Sequence, residues 1–164
     1  MGNIAHPTPR IGAKGGKTML IIPEALIAQL VSAEDAYRAV EGCLAAAARG
    51  EAENFPVIRE ALGEGRQYGF KSGIDRAGGV MGVKAGGYFP GNAARGMINH
   101  QSSILLFDPE TGRPVALVGG NLLTALRTAA ASAISIDRLA RPDARRSMAR
   151  RRACNSSASK GLTM

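Results

Sequence analysis

The chain has 164 residues, which is enough for one domain of ordinary size. Its net charge of +8 lies at its two ends: residues 1–18 carry +3 and residues 141–164 carry +6, whereas residues 19–140 carry −1. Because the central body has no excess of positive charge, it offers no basic face to phosphate backbones, and we do not expect nucleic acid as a partner.

Cysteine and histidine are too sparse for a disulfide framework or a metal site. Cys43 and Cys154 lie far apart, and neither they nor His6 and His100 have a second ligand at a metal-binding spacing. The chain has no apolar run of the ~18 residues that a membrane span needs. Its N-terminus lacks the apolar stretch of a secretory signal. These features predict a cytoplasmic protein with no metal and no membrane partner.

The first part of the chain predicts a leader, a strand and two helices. Residues 1–18 contain several Gly and Pro residues and no apolar period, so we expect a flexible leader. Met19–Ile22 is a short apolar strand, and Pro23 suits the first turn of a helix. A capping signal at Ser32 predicts a second, amphipathic helix over 33–49.

The middle of the chain predicts a sheet followed by a helix. Runs that fit strands occupy residues 55–60, 68–72, 79–86, 103–107 and 113–118. The last two form a hairpin, because Pro109 and Gly112 hold the positions typical of a tight turn between them. A helix rich in Ala and Ser follows over 121–140. The pattern predicts an α+β fold, an antiparallel or mixed sheet with helices packed on one side.

The character of the chain changes near residue 146. Residues 146–164 have no apolar period, contain three consecutive arginines and end in a polar, low-complexity stretch. One interpretation is a disordered basic tail. The other is a segment translated in a shifted reading frame, which the resemblance described below favours.

Three cations in apolar or glycine-rich surroundings are candidates for binding an anion. Arg59 ends a strand, Lys84 follows a Gly-Val strand, and Arg127 lies in a helix beside an apolar stripe. Arg matches a carboxylate with two parallel donors, and a charge beside buried side chains needs a partner. A salt bridge or a solvated face is the alternative for each. The residues alone indicate an anion-binding domain without a Ser–His–Asp set, a P-loop or a GxGxxG turn.

Several motifs, in a fixed order, closely resemble the ornithine cyclodeaminase/μ-crystallin family. They begin at Lys84 (KAGGYFPGNAARG), Ile104 (ILLFDPETG), Leu123 (LTALRTAAAS) and Ala140 (ARPDA). The resemblance covers about residues 19–145. It implies a substrate-binding and dimerisation domain, whose strands pair across a homodimer, followed by a Rossmann domain for NAD(H) or NADP(H). Members convert ornithine to proline with loss of ammonia, reduce cyclic imino acids, or act as amino-acid dehydrogenases.

The resemblance also implies roles for individual residues. Lys84 and Arg127 match the family's cations for the substrate carboxylate, and Arg127 also lies near the cofactor phosphates. Arg59 matches a third carboxylate contact. Asn99 stands where many members place a Ser or Thr that contacts the cofactor.

The resemblance ends where the family continues into its cofactor domain. There the family has a strand and a Gly-rich dinucleotide turn, and its catalytic Asp lies beyond them. We therefore expect a truncated member with a frame-shifted tail and no catalytic residue, which neither binds the cofactor nor releases ammonia from ornithine. The alternative is a non-catalytic module that binds a small carboxylate or dimerises, or a non-functional product.

Overall fold

The computed structural model describes residues 18–141, which form one sheet and three α-helices. The expected tail over 146–164 and the expected leader, apart from Thr18, lie outside the described residues. The helices are α1 (Glu24–Leu30), α2 (Ala33–Ala48) and α3 (Asn121–Leu139). The strands are β1 (Leu20–Ile22), β2 (Ala52–Asn54), β3 (Ile58–Gly63), β4 (Arg66–Asp75), β5 (Val80–Tyr88), β6 (His100–Phe107) and β7 (Pro114–Gly119), and a 3₁₀ helix spans Pro90–Arg95.

The sheet has the strand order β1-β7-β6-β5-β4-β2, and β3 pairs with β4 beside β2. Only β1 is parallel to its neighbour, so the sheet is mixed and the expected α+β fold is confirmed. The strand β2 was not expected. Its sequence, Ala-Glu-Asn, is short and polar and carries no apolar alternation, so its pairing with the end of β4 is what defines it.

Strand register assigns the side chains of the sheet to two faces. Side chains alternate along a strand, and directly paired residues of neighbouring strands point to the same side. One row across the sheet consists of Ile22, Val118, Ile104, Lys84 and Lys71. The adjacent row, on the opposite face, consists of Ile21, Leu117, Leu105, Val83 and Ser72.

The three α-helices form a layer over the first of these faces. The side chain of Lys84 reaches α3, while α2 packs along α3 and α1 contacts both α3 and β7. The core between the layers is small. Within residues 18–141 its buried apolar residues are Ile27, Ala36, Ala46, Ala116, Ala130 and Ile134. Because most of these are alanines, the helices approach one another and the sheet closely.

Two caps position the helices. At the start of α2 the Ser32 hydroxyl accepts a hydrogen bond from the Asp35 amide at 3.1 Å, and the Asp35 carboxylate accepts one from the Ser32 amide at 3.0 Å, which confirms the expected capping box. The cap of α3 comes from the other end of the domain. The Glu24 carboxylate accepts hydrogen bonds from the amides of Asn121 at 3.0 Å and Leu122 at 2.7 Å. This contact ties α1 to the start of α3.

The opposite face of the sheet is not covered by any of the described helices. Its residues include Ile21, which is 64% exposed. They also include Ile58 and Phe70, which lie opposite each other on β3 and β4 and are 52% and 39% exposed. The row through Leu105 is only partly buried although it crosses the middle of the sheet. The open face is therefore apolar and partly accessible to water.

Candidate functional site

A cleft of about 310 Å³ lies between the sheet and α3. Its lining includes Arg59, Lys71, Lys84, His100, Thr124 and Arg127. The first four lie on strands β3, β4, β5 and β6, and the last two lie one helical turn apart on α3. The sheet is thus the floor of the cleft and the helix is its side.

Two glycines leave part of the cleft floor without side chains. Arg59 pairs with Gly69, which pairs with Gly86, so that two bare positions extend inward from the arginine. A Cβ atom at Gly69 would stand 2.1 Å from the carbonyl oxygen of Ile58, and one at Gly86 would stand 2.2 Å from that of Gln101. Neither position accepts a side chain without movement of the backbone. The open volume between the cations is therefore part of the fold.

Lys84 is the most enclosed cation of the cleft. It is half-buried, and its Nζ donates a hydrogen bond to the Thr124 hydroxyl at 3.0 Å. That hydroxyl donates its own proton to the carbonyl of Gly120 at 2.6 Å, so its oxygen is left as the acceptor for Lys84. Burial, followed by repulsion from Lys71 and Arg127, lowers the pKa of Lys84 below its ordinary value. The ammonium group would gain from an added negative charge.

His100 experiences the same positive field. Its pKa is lowered below 6.5, first by burial and then by the charges of Lys84, Lys71 and Arg127. The imidazole is consequently mostly uncharged at neutral pH. An anion bound in the cleft would raise its pKa again, because it would offset those three charges.

The cleft cations differ from the five arginines of the domain that form salt bridges. Within residues 18–141, Arg38, Arg49, Arg66, Arg76 and Arg138 each form a salt bridge with a glutamate. Over the same residues, no carboxylate lies within salt-bridge distance of Arg59, Lys71, Lys84 or Arg127. Four cations therefore line one cleft without a carboxylate partner: Lys84 is half-buried, and Arg59, Lys71 and Arg127 are exposed to solvent. Their summed positive potential favours the binding of an anion. The described residues contain no group of three metal ligands.

The structure brings three of the four expected site residues to this cleft. Arg59, Lys84 and Arg127 all line it. Asn99 does not: its Oδ1 accepts a hydrogen bond from the amide of Ala93 at 3.0 Å, and its Nδ2 donates to the hydroxyl of Tyr88 at 3.4 Å. Asn99 thus contacts Tyr88, which lies on the floor of the cleft. The substrate and cofactor roles of all four remain predictions.

Sequence reasoning missed Lys71, His100 and Thr124. The position of the turn between β4 and β5 could have indicated Lys71. The turn sets the register in which Asp75 pairs with Val80, and this register places Lys71 opposite Lys84. His100 was considered only as a metal ligand. Thr124 lies among small residues of α3 and gives no signal of its own.

Comparison with known proteins matches residues 17–149 to the model of the ornithine cyclodeaminase/mu-crystallin family. The chain belongs to this family. Iminosuccinate reductase of Paracoccus denitrificans is 58% identical over 123 residues, which is 74% of this chain and 38% of that protein. The chain therefore spans about two fifths of the length of this relative.

Solved structures of family members share the fold. The crystal structure of Paracoccus denitrificans iminosuccinate reductase in complex with NAD⁺ matches with a TM-score of 0.72 and 56% identity, over 76% of this chain and 39% of that one. An archaeal alanine dehydrogenase dimer with bound NAD matches with a TM-score of 0.70 and 30% identity, over 75% and 38%. The Thermococcus litoralis Δ¹-pyrroline-2-carboxylate reductase, in complex with NADH and L-proline, matches with a TM-score of 0.72 and 28% identity, over 76% and 39%. These three similar proteins thus bind NAD⁺, NAD or NADH, and one of them also binds L-proline.

The helix N-termini of α2 and α3 do not fit the pyrophosphate of such a cofactor. Pyrophosphate binds free amides at a helix N-terminus. The first amides of α3 already bind the carboxylate of Glu24, and those of α2 are engaged by the capping box of Ser32 and Asp35. A bound carboxylate at the α3 end would also repel a phosphate.

In the part of the chain that the structure describes, no helix is long and apolar enough to cross a membrane.

Proposed function

We propose that residues 18–141 are the substrate-binding part of an NAD(H)-dependent imino-acid reductase, and that its substrate is iminosuccinate. The observation that carries this proposal is the set of four cations, Arg59, Lys71, Lys84 and Arg127, on one cleft with no carboxylate within salt-bridge distance among the described residues. The identity of 58% to an iminosuccinate reductase supports the choice of substrate.

In this proposal Lys84 and Arg127 bind the carboxylate next to the imino carbon. Lys84 is already oriented by Thr124, so little side-chain freedom is lost on binding. Arg127 lies about one helical turn after Thr124 on α3 and lines the same cleft, while Arg59 lies on β3 opposite Gly69. NADH, when bound, supplies the hydride that reduces the C=N bond. The described residues hold the substrate and orient that bond.

We also propose that the chain forms a homodimer through the open face of the sheet. The face carries a partly exposed apolar row through Leu117, Leu105 and Val83, and burying such area against a second copy is favourable. The archaeal alanine dehydrogenase that shares this fold is a dimer. The cleft lies on the other face, so association would leave it open.

The test of the carboxylate site is a calorimetric titration of the 164-residue chain with L-aspartate, the product of iminosuccinate reduction. We expect one site per chain. The Lys84→Met variant should bind about 10- to 100-fold more weakly, because a charge-assisted hydrogen bond contributes roughly 1.5–3 kcal/mol. Arg38→Met is the matched control, because Arg38 pairs with Glu34 on the exposed side of α2, and its affinity should be unchanged. An absence of binding, or equal binding by Lys84→Met, would contradict the proposal.

The second candidate is a module that binds a carboxylate without catalysis. It is favoured by one observation, that the amides starting α2 and α3 are already occupied. NADH oxidation by the 164-residue chain in a mixture of oxaloacetate and ammonia, which generates iminosuccinate, shows whether this chain catalyses by itself, and turnover would rule out the second candidate. We expect aspartate binding without turnover from this chain. Turnover that is lost in Lys84→Met would show that the chain holds a complete active site.

A further inference from the structure

Lys71 and Lys84 are directly paired across strands β4 and β5. Directly opposite residues of an antiparallel pair have their side chains on the same face and only about 5 Å apart at Cβ, so two like charges there repel. The Lys84 side chain is held by Thr124, whereas the Lys71 side chain takes part in no hydrogen bond or ion pair among residues 18–141. The two charges therefore repel each other in the free protein, and the exposed Lys71 side chain has no partner among the described protein groups.

The surroundings of Lys71 offer space for a ligand group rather than a protein partner. Gly69 lies two residues earlier on the same strand and hence on the same face, and Gly86 pairs with it. Because both positions are glycine, neither supplies an Asp or Glu side chain that could pair with Lys71. Arg59 lies beyond Gly69, so the nearest charged neighbours of Lys71 along the floor are all cations.

The number of charges argues for a ligand with two carboxylates. A monocarboxylate would compensate one of the four cations that line the cleft, and a dicarboxylate would compensate two. In a four-carbon dicarboxylate the two carboxyl groups are separated by two carbons, which is similar to the spacing of side chains on neighbouring strands. Lysine suits the second group because its ammonium is a point charge on a flexible stem.

We propose that Lys71 forms a second carboxylate subsite, which selects a four-carbon imino dicarboxylate over imino acids with a single carboxylate. This inference rests on the proposed function, because it requires that the carboxylate next to the imino carbon is bound by Lys84 and Arg127. Lys71 then binds the distal carboxylate, and it is a specificity-determining residue of the cleft.

The experiment compares L-aspartate with L-asparagine, in which an amide of the same shape replaces the distal carboxylate. Both ligands are titrated into the 164-residue chain and its Lys71→Met and Lys84→Met variants. We expect the wild-type chain to bind aspartate about ten-fold more tightly than asparagine, from one additional charge-assisted contact. Lys71→Met should abolish this preference. Its affinity for aspartate should fall about ten-fold, and its affinity for asparagine should stay within two-fold of the wild-type value. Lys84→Met should weaken both ligands.

Each outcome separates the subsite from the proposed function. If Lys71→Met lowers the affinity for aspartate and asparagine equally, or changes neither affinity, the proposal of a subsite at Lys71 is wrong. Carboxylate binding by Lys84 still stands in that case. If neither ligand binds the wild-type chain, both proposals are wrong. Lys71→Arg keeps the charge and should retain a preference for aspartate. Thermal unfolding checks the fold, and Lys71→Met should melt no lower than wild type, because it removes a repulsion.

Discussion

The two faces of the sheet differ in the kind of side chain that they leave without a partner. Adjacent residues of the same strands supply both: Lys84 belongs to the face under α3, and Val83 belongs to the open face. The first face presents cations that lack a counter-charge, and the second presents apolar side chains that lack a covering layer. One strand pattern thus encodes a charged cleft and an apolar surface, and a slip of one residue in register would exchange them.

This difference predicts that changes on one face leave the other unaffected. Binding of a small anion should depend on the cleft and be insensitive to association, whereas association should depend on the open face and be insensitive to the cations. The predictions below test this separation, beginning with the largest effect.

The largest effect is expected from Leu105→Asp. Leu105 lies at the centre of the open face, between Val83 and Leu117 in the neighbouring strands. A carboxylate there would have to lose its water if a second copy covers the face, which is costly. We expect sedimentation analysis to show dimers of the wild-type chain and only monomers of the variant.

Lys84→Met is the control on the opposite face, and its sedimentation should match that of the wild type. A wild-type monomer would show that the homodimer proposal is wrong. A Leu105→Asp dimer would show that the chain associates through another surface.

An intermediate effect is expected from Glu24→Ala, which affects only the charged face. The Glu24 carboxylate caps the start of α3, the helix that carries Thr124 and Arg127 over the sheet. Loss of a helix cap lowers the free energy of unfolding by about 0.5–2 kcal/mol. Urea unfolding would measure this loss, and aspartate affinity should fall as well, because the helix side of the cleft is less well held.

The matched control is Glu34→Ala on α2. Its carboxylate forms an exposed salt bridge with Arg38, and such pairs contribute about 0–1 kcal/mol. If Glu24→Ala costs no more than Glu34→Ala, the cap contributes little to the position of α3.

The smallest effect is a pH dependence of anion binding. In the free chain the pKa of His100 is held below 6.5 by burial and by the neighbouring cations, and a bound anion would raise it. The complex would therefore bind more protons than the free chain, and affinity should increase as the pH falls through the range below 6.5.

Calorimetry with aspartate at about pH 8 and about pH 6 should show an increase of about three-fold, which His100→Asn should remove. Association through the open face should not change over this range. A wild-type affinity that is constant down to about pH 5.5, or that falls, would show that His100 does not sense the anion.

Elements with strong local signals were predictable from the sequence. The capping box of Ser32 and Asp35 joins residues three apart, and it marks the start of α2 correctly. In the turn of the β6–β7 hairpin, Gly112 adopts a φ of 68°, and Asp108 accepts hydrogen bonds from the amides of Glu110 and Thr111. In both cases the interactions that define the element lie within a few residues.

The cleft was predictable only in part. The residues alone indicated Arg59, Lys84 and Arg127 as candidates for binding an anion, and the resemblance added that they contact one substrate carboxylate. The structure places all three on one cleft. Lys71 was not predicted, because its side of the sheet depends on the pairing of β4 with β5. The strand β2 was not predicted either, because its three residues are defined by a partner about twenty residues away.

The sequence by itself determined the helices, most of the strands and the β6–β7 hairpin. Periodicity, caps and turn residues are local properties, so they can be read without a fold. Tertiary structure alone decided the charged cleft, the open apolar face and the cap that Glu24 provides to Asn121. These features arise from strand register and from contacts between residues as many as 98 positions apart, and local patterns do not specify such pairings.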